Sequence, residues 1–187
     1  MRRVGVAAGV ALLLAVPAAA QEPRTVVGAE KVHGFFGAPV AKFTELGDDF
    51  AFMPGGRLGW LAGHELALGL GAYVSTGDAS FTDDLGASRE LRLDYAGFEA
   101  ELIFFWDYTY HMTLSVLLGG GRLEVDGGGE SVGVVEPLAN LQINLMPGFR
   151  VDLGGGYRLV WGVDAPGVSS SDAGGLVGAV AFRIGPY

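Results

Sequence analysis

The chain has 187 residues, no cysteine, half of its residues hydrophobic and a formal charge of −9. That excludes a disulfide framework and a thiolate metal site, and the acidity argues against nucleic acid as a partner, since phosphate recognition needs basic patches. Beyond residue 20 no stretch reaches the roughly 18 apolar residues of a spanning helix, so a chain this apolar fits lipid only as a closed barrel, which pairs its backbone groups internally.

The first segment opens on Arg2 and Arg3, runs apolar from Val4 to Val16, breaks at Pro17 and ends on Ala18-Ala19-Ala20. This is the pattern of a secretory signal, so residues 1–20 are expected to be removed, deepening the charge to −11. Residues 21–31 then read as a short leader and 32–187 as the folded domain.

Eight segments of period-two alternation follow, each with one apolar face. The first, about His33 to Thr44, turns Lys42 inward. The second sets Phe50, Phe52, Leu58 and Trp60 against Ala51, Gly55, Arg57 and Gly59. In the third, Leu66, Leu68, Leu70, Ala72 and Val74 oppose Glu65, Gly71, Tyr73 and Ser75. In the fourth, Phe98, Ala100, Leu102, Phe104 and Trp106 oppose Gly97, Glu99 and Glu101. The fifth sets Tyr110, Met112, Leu114, Val116 and Leu118 against His111, Thr113 and Ser115. The sixth sets Val135, Leu141, Ile143 and Leu145 against Glu136, Asn140, Gln142 and Asn144. The seventh sets Phe149, Val151, Leu153, Tyr157 and Leu159 against Arg150, Asp152 and Arg158, and the eighth Leu176, Val180, Phe182 and Ile184 against Arg183.

The connections alternate in length. Those at Leu61–Gly63, Asp107–Thr109 and Met146–Pro147 are tight, whereas 77–89, 124–130 and 162–173 read as long polar loops, with 45–49 a short exception. Trp60, Trp106, Tyr110, Phe149 and Tyr187 gather at the tight end, as in an aromatic girdle at the headgroup level. The expected fold is an all-β, eight-stranded antiparallel up-and-down transmembrane β-barrel.

Such a barrel is just wide enough for side chains to fill it. Lys42, Arg57, Glu65, Glu99, Glu101, His111, Glu136, Asn140, Arg150, Asp152, Arg158 and Arg183 are therefore expected to form a polar lumen network in which buried charges are paired. His111, Thr113 and Ser115 share a face that Glu99 or Glu101 could reach, but this set points inward, away from any lipid substrate. No catalytic residue is assigned. The acids Asp48, Asp49, Asp78, Asp83, Asp84, Glu124, Asp126, Glu130, Asp164 and Asp172 lie in loops without the spacing of an ordered calcium site, and no metal or cofactor is expected.

With its signal segment, eight alternating segments, alternating turn lengths and aromatic last strand (Phe182 and Ile184 leading to Tyr187), the chain resembles the small eight-stranded outer-membrane barrels of Gram-negative bacteria. The stretches Gly37-Ala38-Pro39-Val40-Ala41-Lys42-Phe43 and Glu136-Pro137-Leu138-Ala139-Asn140 are similar to those of uncharacterised members of that group. The resemblance implies an outer-membrane location with both termini periplasmic. It also implies contact with lipid and lipopolysaccharide, insertion by the barrel-assembly machinery, and a structural, adhesion or surface-interaction role. Two alternatives are a lipid A-modifying barrel enzyme and a soluble periplasmic lipocalin-like barrel, in which the alternation would have the opposite sense.

Overall fold

Alternating sequence becomes strand throughout. The computed structural model describes residues 33–77, 79–82 and 86–185; the signal segment, the leader, Asp78, Asp83, Asp84 and Tyr187 lie outside them. The strands are β1 (His33–Leu46), β2 (Asp49–Ala62), β3 (Leu66–Val74), β4 (Ala79–Thr82), β5 (Ser88–Phe104), β6 (Tyr110–Val125), β7 (Gly128–Met146), β8 (Phe149–Trp161) and β9 (Gly175–Ile184), with one helical turn, α1 (Ser170–Ala173), before β9. All pairings are antiparallel. β3 pairs directly with β5, and β9 returns to β1, so eight strands close an up-and-down ring. The short β4 stands outside that count, bonded to the Ser88–Leu91 stretch of β5.

Two loops expected from the sequence are largely sheet. The 124–130 stretch is a two-residue hairpin turn, with β6 and β7 in register up to Val125↔Gly128. Asp126 and Gly127 both have positive φ, 47° and 82°, the conformation whose twist matches that of the flanking strands. Within 77–89, β4 folds back on β5 and buries Ala79 and Phe81. Polar, glycine-containing composition suggested a loop in both places, but it also suits a hairpin whose outer face meets water. The 162–174 connection does carry a true loop, ending in α1.

One end of the ring has only tight turns. The other is drawn out on one side, because β5, β6 and β7 run well beyond their neighbours. Along β5 the alternation changes sense. In Gly97–Phe104 the inward residues include Glu99 and Glu101 and the outward ones are Phe98, Ala100, Leu102 and Phe104. In 90–94 the inward ones are Leu91 and Leu93 and the outward ones Glu90, Arg92 and Asp94. β6 makes the same change, from inward His111, Thr113 and Ser115 to inward Leu123 and Val125 with Arg122 and Glu124 outside. Where the sense flips, Gly97 faces Gly119 in register, and a Cβ on Gly97 would stand 2.8 Å from the Gly119 Cα. At about 3.3 Å per residue and a tilt of about 40°, the stretch from Asp94 to Phe104 rises about 25 Å, the height of a lipid-facing band.

The seam between first and last strands is not continuous. Its register runs Gly37↔Ile184 and then resumes at Val40↔Ala181. Pro39 lies in the gap and has no N–H to give to the ladder.

Candidate functional site

The lumen of the tight-turn half is filled by charged and amide side chains, each delivered by the inward phase of its strand. Arg57 on β2 donates to Glu101 on β5 at 2.6 Å and lies 3.1 Å from Glu99. Arg183 on β9 donates to both oxygens of Glu101, at 2.9 and 2.6 Å, and stands 3.1 Å from Asp152 on β8. Glu101 thus sits between two guanidinium groups and is itself 1% exposed. Lys42 bonds Glu136 across the barrel, and the Tyr95 hydroxyl donates to the other oxygen of Glu136 at 2.5 Å. The Lys42 ammonium also lies 3.1 Å from the centre of the Tyr73 ring, an electrostatic attraction that burial strengthens.

Nearer the tight turns, His111 meets Gln142 at 2.6 Å through Nε2. The Gln142 amide nitrogen donates to Asp152 at 2.6 Å, and its oxygen accepts from Arg150 at 3.3 Å. Asn140 donates to Thr113 and Ser115. The hydroxyls of the His111, Thr113 and Ser115 face are therefore tied to an amide inside the wall, turned away from its apolar outer surface.

Arg158 belongs to a different environment. Fully buried, it donates to the carbonyl oxygens of Ala173 and Glu45, at 3.1 and 3.0 Å, and reaches the Met53 sulfur. It caps backbone ends where β1 and α1 meet instead of pairing with a carboxylate. Above the polar layers the lumen is packed with Leu46, Met53, Phe81, Leu91, Leu93, Leu123, Val125, Val132 and Val134, and Val163, Ala165 and Val168 of the last loop fold against them.

Glu65 corrects the sequence expectation. It is exposed in the turn before β3, where its carbonyl accepts from the Ile103 amide. Period-two counting put it on the inner face, but the strand begins one residue later, at Leu66. The other eleven residues singled out from the sequence are all buried. Sequence reasoning passed over Tyr95, which continues the inward phase of Glu101, Glu99 and Gly97 by one step. Several loop acids serve as turn caps. Asp48 accepts from the Thr82 amide, Asp49 from the amide and hydroxyl of Ser80, and Asp126 from the Glu90 amide and Arg89. Among the described residues no three His, Asp or Glu gather as a metal site would require.

The outer wall of the same half shows Phe35, Phe43, Leu58, Leu70, Phe98, Leu118 and Ile184 to the surroundings. Charged inside and apolar outside is the sense of a barrel in lipid and the reverse of a lipocalin-like one. Trp60, Trp106 and Tyr110 lie exposed near the tight turns, Trp60 stacked on His33 and Trp106 on His64.

No protein-family model matches the chain, and no curated protein matches it in sequence. Among solved structures it is similar to Neisserial surface protein A, with a TM-score of 0.60 at 15% identity over 81% of this chain and 94% of that one. It is also similar to the N-terminal β-barrel domain of Pseudomonas aeruginosa OprF, with a TM-score of 0.58 at 11% identity over 83% and 99%. The chain has the fold of the small eight-stranded outer-membrane barrels.

Proposed function

We propose that the protein is a closed, non-enzymatic barrel of the bacterial outer membrane. Its tight-turn end and both termini stand in the periplasm, and its drawn-out end is at the cell surface, where it acts in structure, adhesion or surface interaction. The observation that carries this reading is the two-layered filling of the lumen: an ion-paired half followed by an apolar half leaves the barrel wall and the outer hairpins as the working surfaces. The flip of alternation in β5 and β6 supports the orientation, because the outward-facing charges Arg92, Asp94, Arg122 and Glu124 belong in water beyond the lipid band. Function on such scaffolds usually sits on the exposed connections. Outer-membrane lipid and lipopolysaccharide surround the wall, and the barrel-assembly machinery inserts the chain.

Membrane fractionation combined with heat-modifiable gel mobility tests the location, with recovery in the outer membrane as a heat-shifted band expected. Planar-bilayer recording tests the closure: no discrete conductance steps are expected, and stable steps would sink the closed-lumen reading.

A further inference from the structure

At the tight-turn end lies a cleft of about 470 Å³ lined by Glu65 and residues 102–107. Two turns build it. The Ile103 amide donates to the Glu65 carbonyl at 2.8 Å, which ties the β2–β3 turn to the end of β5. The Tyr108 amide donates to the Phe105 carbonyl at 3.1 Å, which closes the β5–β6 turn around Trp106 and Asp107. Phe105 holds a φ of 59°, in the left-handed region that a bulky residue seldom occupies, and its ring is exposed.

The lining is of two kinds. Leu102 and Phe104 belong to the outward face of β5, and that apolar strip continues onto β6 through their register partners Leu114 and Met112, both exposed. Glu65 and Asp107 are exposed carboxylates, and no basic side chain lines the cleft. Neither carboxylate takes part in an ion pair among the described residues. His64 stacks on the Trp106 indole at 4.0 Å from outside the cleft lining. The charge of the cleft is therefore set by its two carboxylates, with the rings of Phe105 and Trp106 beside them, whose negative faces attract cations.

We propose that this cleft binds a membrane phospholipid by a primary-ammonium headgroup, with the ammonium between Glu65 and Asp107 and an acyl chain along Leu102 and Leu114. A primary ammonium has three N–H donors and no acceptor, which suits two carboxylates. A trimethylammonium has no N–H to donate, and an anionic headgroup meets like charge. The lipid's phosphate stays in water at the mouth of the cleft. The apolar strip selects a lipid over a soluble amine, because the cleft opens directly onto a surface that an acyl chain can follow. Aromatic rings such as Trp106 belong at the headgroup level. The inference rests on the lipid-facing wall proposed above.

The test uses the full barrel in nonionic detergent micelles with Trp60 and Trp161 replaced by Phe, so that emission reports Trp106. The probes are short-chain phospholipids with identical tails and ethanolamine, choline or glycerol headgroups, and free phosphoethanolamine. The ethanolamine lipid should change the emission saturably, the choline lipid should bind about tenfold more weakly, and the glycerol lipid should bind weakest of the three. Glu65→Gln and Asp107→Asn should each weaken the ethanolamine lipid about tenfold, the loss of one charge-assisted contact. Both lie on exposed turns, and heat-modifiable mobility checks that each variant is folded. An absent response, equal affinity for the three headgroups, or unchanged binding in both folded variants would each overturn the proposal. Free phosphoethanolamine binding as tightly as the lipid would also overturn it, in favour of a soluble amine. A barrel recovered outside the outer membrane would fail the proposed location, whereas a headgroup-blind response in micelles would fail the cleft alone.

Discussion

The two halves of this barrel's interior obey opposite rules on the same strands. In the orientation proposed above the wall of the tight-turn half meets lipid, so apolar side chains go out and ionised ones go in, where they must find partners. In the drawn-out half the wall meets water, and Leu91, Leu93, Leu123 and Val132 turn inward as in any soluble sheet. The strand itself does not change; only the surroundings of its outer face do. The flip, between Asp94 and Phe98 on β5 and between Leu118 and Arg122 on β6, falls where the proposed orientation puts the edge of the membrane.

The comparison breaks most readily at its centre. Glu101→Leu removes the carboxylate shared by Arg57 and Arg183 and should destabilise the barrel by about 3–5 kcal/mol in a bilayer or detergent unfolding assay. Adding Arg57→Leu should recover part of that loss; strictly additive losses would mean that the ion pairs do not act as a unit. Leu123→Ala opens a cavity in the apolar half and should cost about 2–5 kcal/mol, with little dependence on salt, unlike the polar half if water reaches it. A loss from Leu123→Ala that rises steeply with ionic strength would place that layer wrongly.

Outside the barrel the same contrast can be sharpened. Leu70→Arg, in the middle of the lipid-facing band, should cost about 2–4 kcal/mol, whereas Arg122→Leu, beyond the flip, should change stability by no more than about 0.5 kcal/mol. Equal effects would erase the boundary. The smallest expected effect is at the outermost hairpin. The Glu90 amide and the Arg89 guanidinium bond the Asp126 carboxylate and hold its pKa below the usual range. A depressed folded-state pKa gives a contribution that is present above the unfolded value of about 3.9 and is lost as pH falls through the folded one. Exchange protection of the Glu90 amide should therefore fall only in that acid range, and protection that vanished near neutrality would assign the turn to another cause.

The lipid-facing half was legible because its alternation is strong and its inner face carries charges that have no other place to go. Arg57, Glu99 and Glu101 could be placed together from strand order alone. The drawn-out half is harder to read: residues 77–89 and 124–130 look like loops because they mix charges and glycine, and a sheet with water on its outer face carries that same composition. Glu65 was misplaced by one residue of strand boundary, which period-two counting cannot see. Arg158 was foreseen as buried, but a partner made of carbonyl oxygens from two separate chain segments leaves no trace in residue type.

The interrupted ladder at Pro39 bears on how the molecule is put together. Every other junction of the ring joins strands that follow one another closely along the chain, so hairpins can zip in succession. The β1–β9 junction must bring the two ends of the sheet together across the largest loop, the step with the greatest entropic cost. A proline at that junction interrupts the register of β1 with β9 between Gly37↔Ile184 and Val40↔Ala181, at the line where the ring shuts. Until that line is sealed, β1 and β9 are open edges, and the chain that becomes a barrel is a curved sheet with a place to receive its own last strand.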